Sequence, residues 1–392
     1  MELTALQARL TCLTNCNSLL NEDIFRSYWY TLRALTQGSG PDAAAWYAQL
    51  YYQLKARGHS GLGDFLWDWL RYTDTPYGLM VERGNEDTSL RAAMVADVEF
   101  LRAAATTDLT PSLPADLPLP RLEWQADWDL KSLDHFYRQN GCGPFAKYRA
   151  FRWRDGELVG IQEPDSPQPW ELWGYQEQRR QVRDNALALL EGRQVNHVLL
   201  YGDSGTGKSA TVKSLLAQEG LEKLRIVELD KGHLEDIPDL VRLLDTRAQS
   251  FILFIDDLAF DADDKSYSQL KTILEGSLER QPDNVVVYAT SNRRNLVKQN
   301  FSDRDGDDMD RNETIAEKTS LAERFGVRIA YFALTPREFW QMVEDLAKVY
   351  GLELDKETLL KRCEQWELRH PGRTPRIAKQ FIAYELERQA QE

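Results

Sequence analysis

The sequence predicts an α/β fold: a P-loop core built on a parallel five-stranded sheet, followed by a helical lid and preceded by a mainly helical N-terminal domain. Three observations predict it. From about residue 170, short apolar runs of strand length alternate with helical stretches, the pattern of buried parallel strands. The first of these runs leads directly into a glycine-rich loop ending in Lys208-Ser209. Before residue 109, aromatic and aliphatic residues recur at helical spacing, as in Ala44, Tyr47, Leu50, Tyr51 and Leu54.

Composition bounds the rest. A chain of 392 residues with 42% apolar content is expected to hold two or three packed domains. A formal net charge of −14 disfavours a nucleic-acid backbone as first partner. The four cysteines form no CxxC pair, so neither a zinc site nor a disulfide framework is supported. No basic stretch followed by an apolar run opens the chain, and no long apolar run follows, so a cytoplasmic protein with no membrane partner is expected.

The expected domains follow in order. Residues 1–109 read as several short helices, punctuated at Gly38 to Pro41, Gly58 to Gly63 and Pro76 to Gly78. The aromatic residues Trp29, Tyr30, Trp46, Trp67 and Trp69 there read as core, not as a binding groove. Residues 110–169 read as a linker with a small β-hairpin. The stretch from 108 to 120 holds four prolines, and Asp155-Gly156 lies between Tyr148 to Trp153 and Leu158 to Ile161 as a tight turn. Residues 170–335 form the nucleotide-binding core, with strands expected at His197 to Tyr201, Arg225 to Leu229, Phe251 to Ile255, Val285 to Ala289 and Val327 to Phe332. Residues 336–392 form the lid, with a helix start at Thr335-Pro336 and stops at Gly351 and Pro371-Gly372.

Chemistry concentrates in the core. Gly202-Asp203-Ser204-Gly205-Thr206-Gly207-Lys208-Ser209 fits the Walker A pattern, and with Ala210 these residues are expected to bind ATP or ADP. The glycines let successive N–H groups turn inward on phosphate, Lys208 reaches the β and γ phosphates, and the Ser209 hydroxyl ligates Mg²⁺. The strand Phe251 to Ile255 ends in Asp256-Asp257 and reads as Walker B. Asp256 is the expected magnesium residue, and Asp257 is expected to orient the lytic water. A third apolar strand ends in Thr290-Ser291-Asn292.

These motifs, with Leu321 to Gly326 (LAERFG) and Gly372 to Ala378 (GRTPRIA), resemble the AAA+ ATPases over residues 170–392. The resemblance implies that Asn292 is sensor 1 and that Arg324, in preference to Arg328, is an arginine finger for a neighbouring subunit. It further implies that Arg376, in preference to Arg373, is sensor 2, and that Gly174 and Tyr175 pack on the base. It also implies a homo-oligomer, such as a hexamer, that couples its nucleotide cycle to an unknown protein client. Where most AAA+ proteins have glutamate this chain has Asp257, one methylene shorter, so slow or partner-dependent hydrolysis is expected. A weakly hydrolysing nucleotide-dependent adaptor, and a DNA-linked ATPase similar to replication initiators and helicase loaders, stay open as alternatives. The phrase NVVVYATSNRR, Asn284 to Arg294, is similar to one uncharacterised bacterial AAA+ family known only as a domain of unknown function, as is Phe145 to Trp153. The acidic run Asp303 to Asp310 fails the calcium-loop spacing at Gly306 and Thr314 and reads as a solvated loop.

Overall fold

The computed structural model describes residues 2–260, 270, 274, 282–293, 296, 321–370 and 372–391. The acidic run at 303–310, Arg294 and Pro371 lie outside the described residues. The chain divides into two compact units at Lys147 and Tyr148.

The first unit is helical: α1 Leu3–Leu10, α2 Asp23–Thr36, α3 Gly40–Ala56, α4 Leu62–Tyr72, α5 Pro76–Glu82, α6 Thr88–Thr106, α7 Leu130–Asn140 and α8 Pro144–Lys147. Side-chain caps mark the starts of three of them: Thr75 accepts from the Gly78 amide, Asp87 from Ser89 and Leu90, and Asp129 from Ser132. Phe25, Tyr28, Tyr47, Leu66 and Leu101 are wholly buried in one core. Three of the five aromatic residues singled out in the sequence join it, Trp69 within the core and Trp29 and Trp67 packed against it, whereas Trp46 is exposed and stacks on Tyr30 instead.

The prolines placed a boundary at 109, and the structure moves it to 147. Leu113, Leu122, Trp128, Leu133 and Tyr137 all pack into the helical core, so 110–147 belong to this unit and are not a linker. Proline density reports the absence of regular structure; it does not report whether the neighbouring apolar side chains are buried.

The second unit is built on a sheet. Its strands are β1 Ala150–Arg154, β2 Glu157–Ile161, β3 Val198–Gly202, β4 Leu224–Glu228, β5 Ser250–Ile255, β6 Val285–Ser291 and β7 Val327–Tyr331, in the order β2-β1-β4-β5-β6-β3-β7. All five strands expected of the core are present and parallel. The hairpin extends the sheet by two strands, because β1 pairs in parallel with β4 and antiparallel with β2. Its turn is as the sequence predicts, with Asp155 at φ 52° and Gly156 at φ 81°. Phe151 is wholly buried, and Arg152 pairs with Glu228 across the β1–β4 junction.

Helix α9 Gln176–Leu190 precedes β3, α10 Lys208–Lys213 follows it, and α11 Ile237–Asp245 lies between β4 and β5. The lid consists of α12 Pro336–Tyr350, α13 Lys356–Arg369 and α14 Pro375–Gln389. A reciprocal Thr335–Glu338 capping box starts α12, and Gly351 in the left-handed conformation ends it. Phe339, Val343, Leu346, Cys363, Phe381 and Ile382 form the lid's own core. No helix among the described residues is long and apolar enough to cross a membrane.

Candidate nucleotide-binding site

The carboxyl ends of β3, β5 and β6 converge on one cavity of about 590 Å³, a size that suits a nucleotide. Ser204 to Ala210, Asp256, Asp257 and Asn292 line it from the core, and Arg376 lines it from the first turn of α14. Gly174 and Tyr175 line it from the segment ahead of α9.

The loop can adopt its path only with glycine at particular points. A Cβ at Gly202 would stand 2.2 Å from the Tyr331 carbonyl oxygen, and one at Gly205 would press on Arg376 and Thr374 at 3.1 Å. The second of these contacts, with the hydrogen bond from the Arg376 amide to the Gly205 carbonyl at 3.3 Å, joins the lid directly to the loop.

Lys208 Nζ donates to the Gly202 carbonyl at 3.0 Å, the Asp203 carbonyl at 2.8 Å and Asn292 Oδ1 at 2.9 Å. Burial lowers its pKa from the ordinary lysine value, while Asp203, Asp257 and Asp256 pull the other way. Ser209 Oγ donates to Asp256 Oδ1 at 2.6 Å. Asp257, held in the left-handed region at φ 51°, accepts from Asn292 Nδ2 at 2.8 Å. Asn292 therefore bridges the loop lysine and the second Walker B carboxylate.

The donor set fits magnesium and a polyphosphate. A serine hydroxyl and a carboxylate within 2.6 Å of each other are the hard oxygen donors Mg²⁺ takes, alongside water. The three partners of Lys208 are oxygens of the kind a phosphate would replace.

Residues 146–389 match the family described as "Protein of unknown function (DUF815)". The chain belongs to that family. The DUF815 chain is 28% identical over 202 residues to the "Holliday junction branch migration complex subunit RuvB" of Acholeplasma laidlawii, covering 50% of this chain and 53% of that protein. It is 36% identical over 69 residues to the same-named subunit of Mycoplasma genitalium, covering 18% and 22%. The chain thus spans about half, or less, of the curated relatives it matches. Among solved structures it is similar to a point variant of Thermotoga maritima RuvB, with 18% identity, TM-score 0.37 and coverage of 56% and 64%. It is also similar to the FIGL-1 AAA domain in complex with ADP, with 18% identity, TM-score 0.34 and coverage of 51% and 67%.

Some expected residues of the DUF815 chain lie elsewhere. Gly202 and Asp203 do not line the cavity: the Asp203 side chain turns away to accept from the Ala333 amide at 2.6 Å. Arg324 and Arg328 are exposed and outside the cavity lining. Arg373 is outside it too and pairs with Glu367 at 2.8 Å, which leaves Arg376 as the arginine of that motif on the cavity wall. Tyr175 does line the cavity, while its hydroxyl donates to the Phe332 carbonyl at 2.6 Å and its ring packs 5.0 Å from Tyr331.

Sequence reasoning missed Thr290. Its hydroxyl donates to Asp256 Oδ1 at 2.5 Å and accepts from the Asp257 amide at 2.9 Å, which holds the Asp256 carboxylate and the Asp257 backbone from the neighbouring strand. The β5–β6 register, Ile255 opposite Ala289, brings Thr290 beside Asp256. A hydroxyl one residue past that apolar run was the available signal. Arg179, donating to the Pro169 and Leu172 carbonyls, and Lys379, donating to the Glu171 carbonyl, also line the cavity and carried no motif.

Proposed function

We propose that this chain binds MgATP in the cavity between core and lid and hydrolyses it. The observation that carries this reading is the convergence of Lys208, Ser209, Asp256, Asp257, Asn292 and Arg376 on one cavity from four separate segments. Magnesium, held by Ser209 and Asp256, would supply charge neutralisation at the phosphates. Lys208 binds phosphate oxygens in place of its present partners, Asp257 orients the attacking water, and Asn292 holds Asp257 in position. Arg376 contributes positive charge from the lid, so binding is coupled to lid position. Arg324, exposed and outside the cavity of its own chain, is suited to act in a neighbouring subunit's site within a homo-oligomer. The helical unit is the candidate for holding a protein client.

The test is steady-state ATP turnover against protein concentration, with Lys208→Ala as blank and Arg324→Ala mixed into wild type. A rate per subunit that climbs with concentration and falls in the mixture supports a trans arginine. A flat rate at the level of the blank despite tight ATP binding rejects intrinsic hydrolysis and favours a nucleotide switch.

A second, DNA-linked reading is favoured by the 28% identity to a subunit named for Holliday junction branch migration. Its test is salt-dependent binding to branched duplex DNA, and absence of binding at low salt rejects it.

A further inference from the structure

We infer that Asp203 is a positioning residue that couples the phosphate loop to the lid, an inference that rests on the cavity being a nucleotide site. Each polar group of Asp203 faces a different element. Its amide donates to the Tyr331 carbonyl at the end of β7, 2.8 Å away. Its carboxylate accepts from the Ala333 amide at 2.6 Å, in the short hinge that links β7 to α12. Its carbonyl accepts from Lys208 Nζ and from the Thr206 hydroxyl, each at 2.8 Å.

The hinge is tied to the lid arginine by a second set of bonds. The Leu334 amide donates to the Arg373 carbonyl at 2.9 Å, and the Arg376 amide donates to the Gly205 carbonyl at 3.3 Å. Loop, hinge and α14 thus form a closed ring of hydrogen bonds to which Asp203 contributes a carboxylate. Gly202 has no room to shift toward β7, because even a Cβ there would overlap the Tyr331 carbonyl.

A phosphate that takes Lys208 Nζ competes directly with the Asp203 carbonyl for that ammonium. Loss of the ammonium leaves that carbonyl with the Thr206 hydroxyl alone, so the peptide unit after Asp203 can turn toward Thr206, and the carboxylate transmits the change to Ala333 and from there, through Leu334 and Arg373, to the helix that carries Arg376. A loop residue that bound nucleotide directly would face the cavity, and Asp203 does not.

The test compares wild type, Asp203→Ala, Asp203→Asn and Ala333→Pro. Ala333→Pro removes the same hydrogen bond from its donor end, and Ala333 is not part of the cavity lining. Hydrogen exchange is read over residues 332–336 and α14 with no nucleotide, with MgADP and with a non-hydrolysable MgATP analogue, beside kcat and KM. In wild type the protection differs between the two nucleotides. In Asp203→Ala and Ala333→Pro that difference disappears and kcat falls about tenfold, while KM and nucleotide affinity stay within about threefold. The double variant is no worse than either single one, because both delete one bond. Asp203→Asn, which keeps an acceptor, retains the lid response. If Asp203→Ala fails to fold, Ala333→Pro carries the test. Retention of the nucleotide-dependent difference in either variant, or loss of affinity with the lid response intact, overturns the inference. If wild type itself binds no nucleotide, the proposed function fails first, and the two failures are distinguishable.

Discussion

A polar cluster in the helical unit and one in the sheet unit are built in opposite ways. In the helical unit, Asp97, 1% exposed, is tied into the fold and accepts from the Thr14 and Cys16 amides at 3.0 and 2.9 Å. Tyr77, Asp134 and Arg91 close a similar local set, with the Tyr77 hydroxyl 2.7 Å from Asp134. In the sheet unit, Asp256, Asp257, Asn292 and Arg376 all border open cavity, and their mutual bonds are ones a ligand could replace. The Asp97 cluster therefore acts as structure and the cavity cluster as site, since a buried polar group without partners is costly and an open one is available.

Substitutions should break that contrast in a graded way. The largest effect is expected for Lys208→Ala, which should lower ATP turnover by at least about a thousandfold, or about 4 kcal/mol, with little change in thermal stability. Turnover and melting curves of the same preparation check this. Next, Asp97→Ala leaves the Thr14 amide and the buried Cys16 amide without their acceptor and should destabilise the helical unit by about 3 kcal/mol in denaturant unfolding. Nucleotide affinity should stay unchanged, because Asp97 belongs to the other unit; a parallel loss of affinity would erase the contrast.

A pH effect of similar size belongs to the sheet unit away from the cavity. Burial lowers the His197 pKa from 6.5 to about 4, and its Nδ1 accepts from the Val287 amide at 3.0 Å, which requires the neutral ring. Between these two values the unfolded chain binds more protons than the folded one, so stability rises with pH through the window and is lost as pH falls through it. The loss reaches about 3 kcal/mol below pH 4. Unfolding curves across this range should flatten in His197→Gln.

The smallest effects separate two neighbouring arginines. Arg376→Ala should lower kcat by about tenfold. Arg373→Ala removes only a partly exposed ion pair with Glu367 and should cost under about 1 kcal/mol of stability, with kcat unchanged. A reversed outcome would move the lid arginine three residues upstream.

What the sequence made legible follows from how local the signal is. The five core strands and the loop were legible because an apolar run and a glycine pattern are contiguous in the chain. The helix start at Pro336 was legible because its capping chemistry, Thr335 with Glu338, lies within one turn. The pairing of β1 with β4 was not, because residues such as Phe151 and Val227 meet only through the fold. The same holds for Thr290, whose role depends on its register against β5. The side-chain direction of Asp203 was not legible for a related reason: the glycine pattern specifies backbone path, whereas the side chain is directed by the Ala333 amide, 130 positions away in the chain.

Calorimetric titration of MgATP into wild type and into Lys208→Ala decides whether the cavity is a nucleotide site. One saturable site per chain is expected in wild type and none in the variant, with wild-type affinity weakened when magnesium is chelated. No binding by wild type, or equal binding by both proteins, would contradict it.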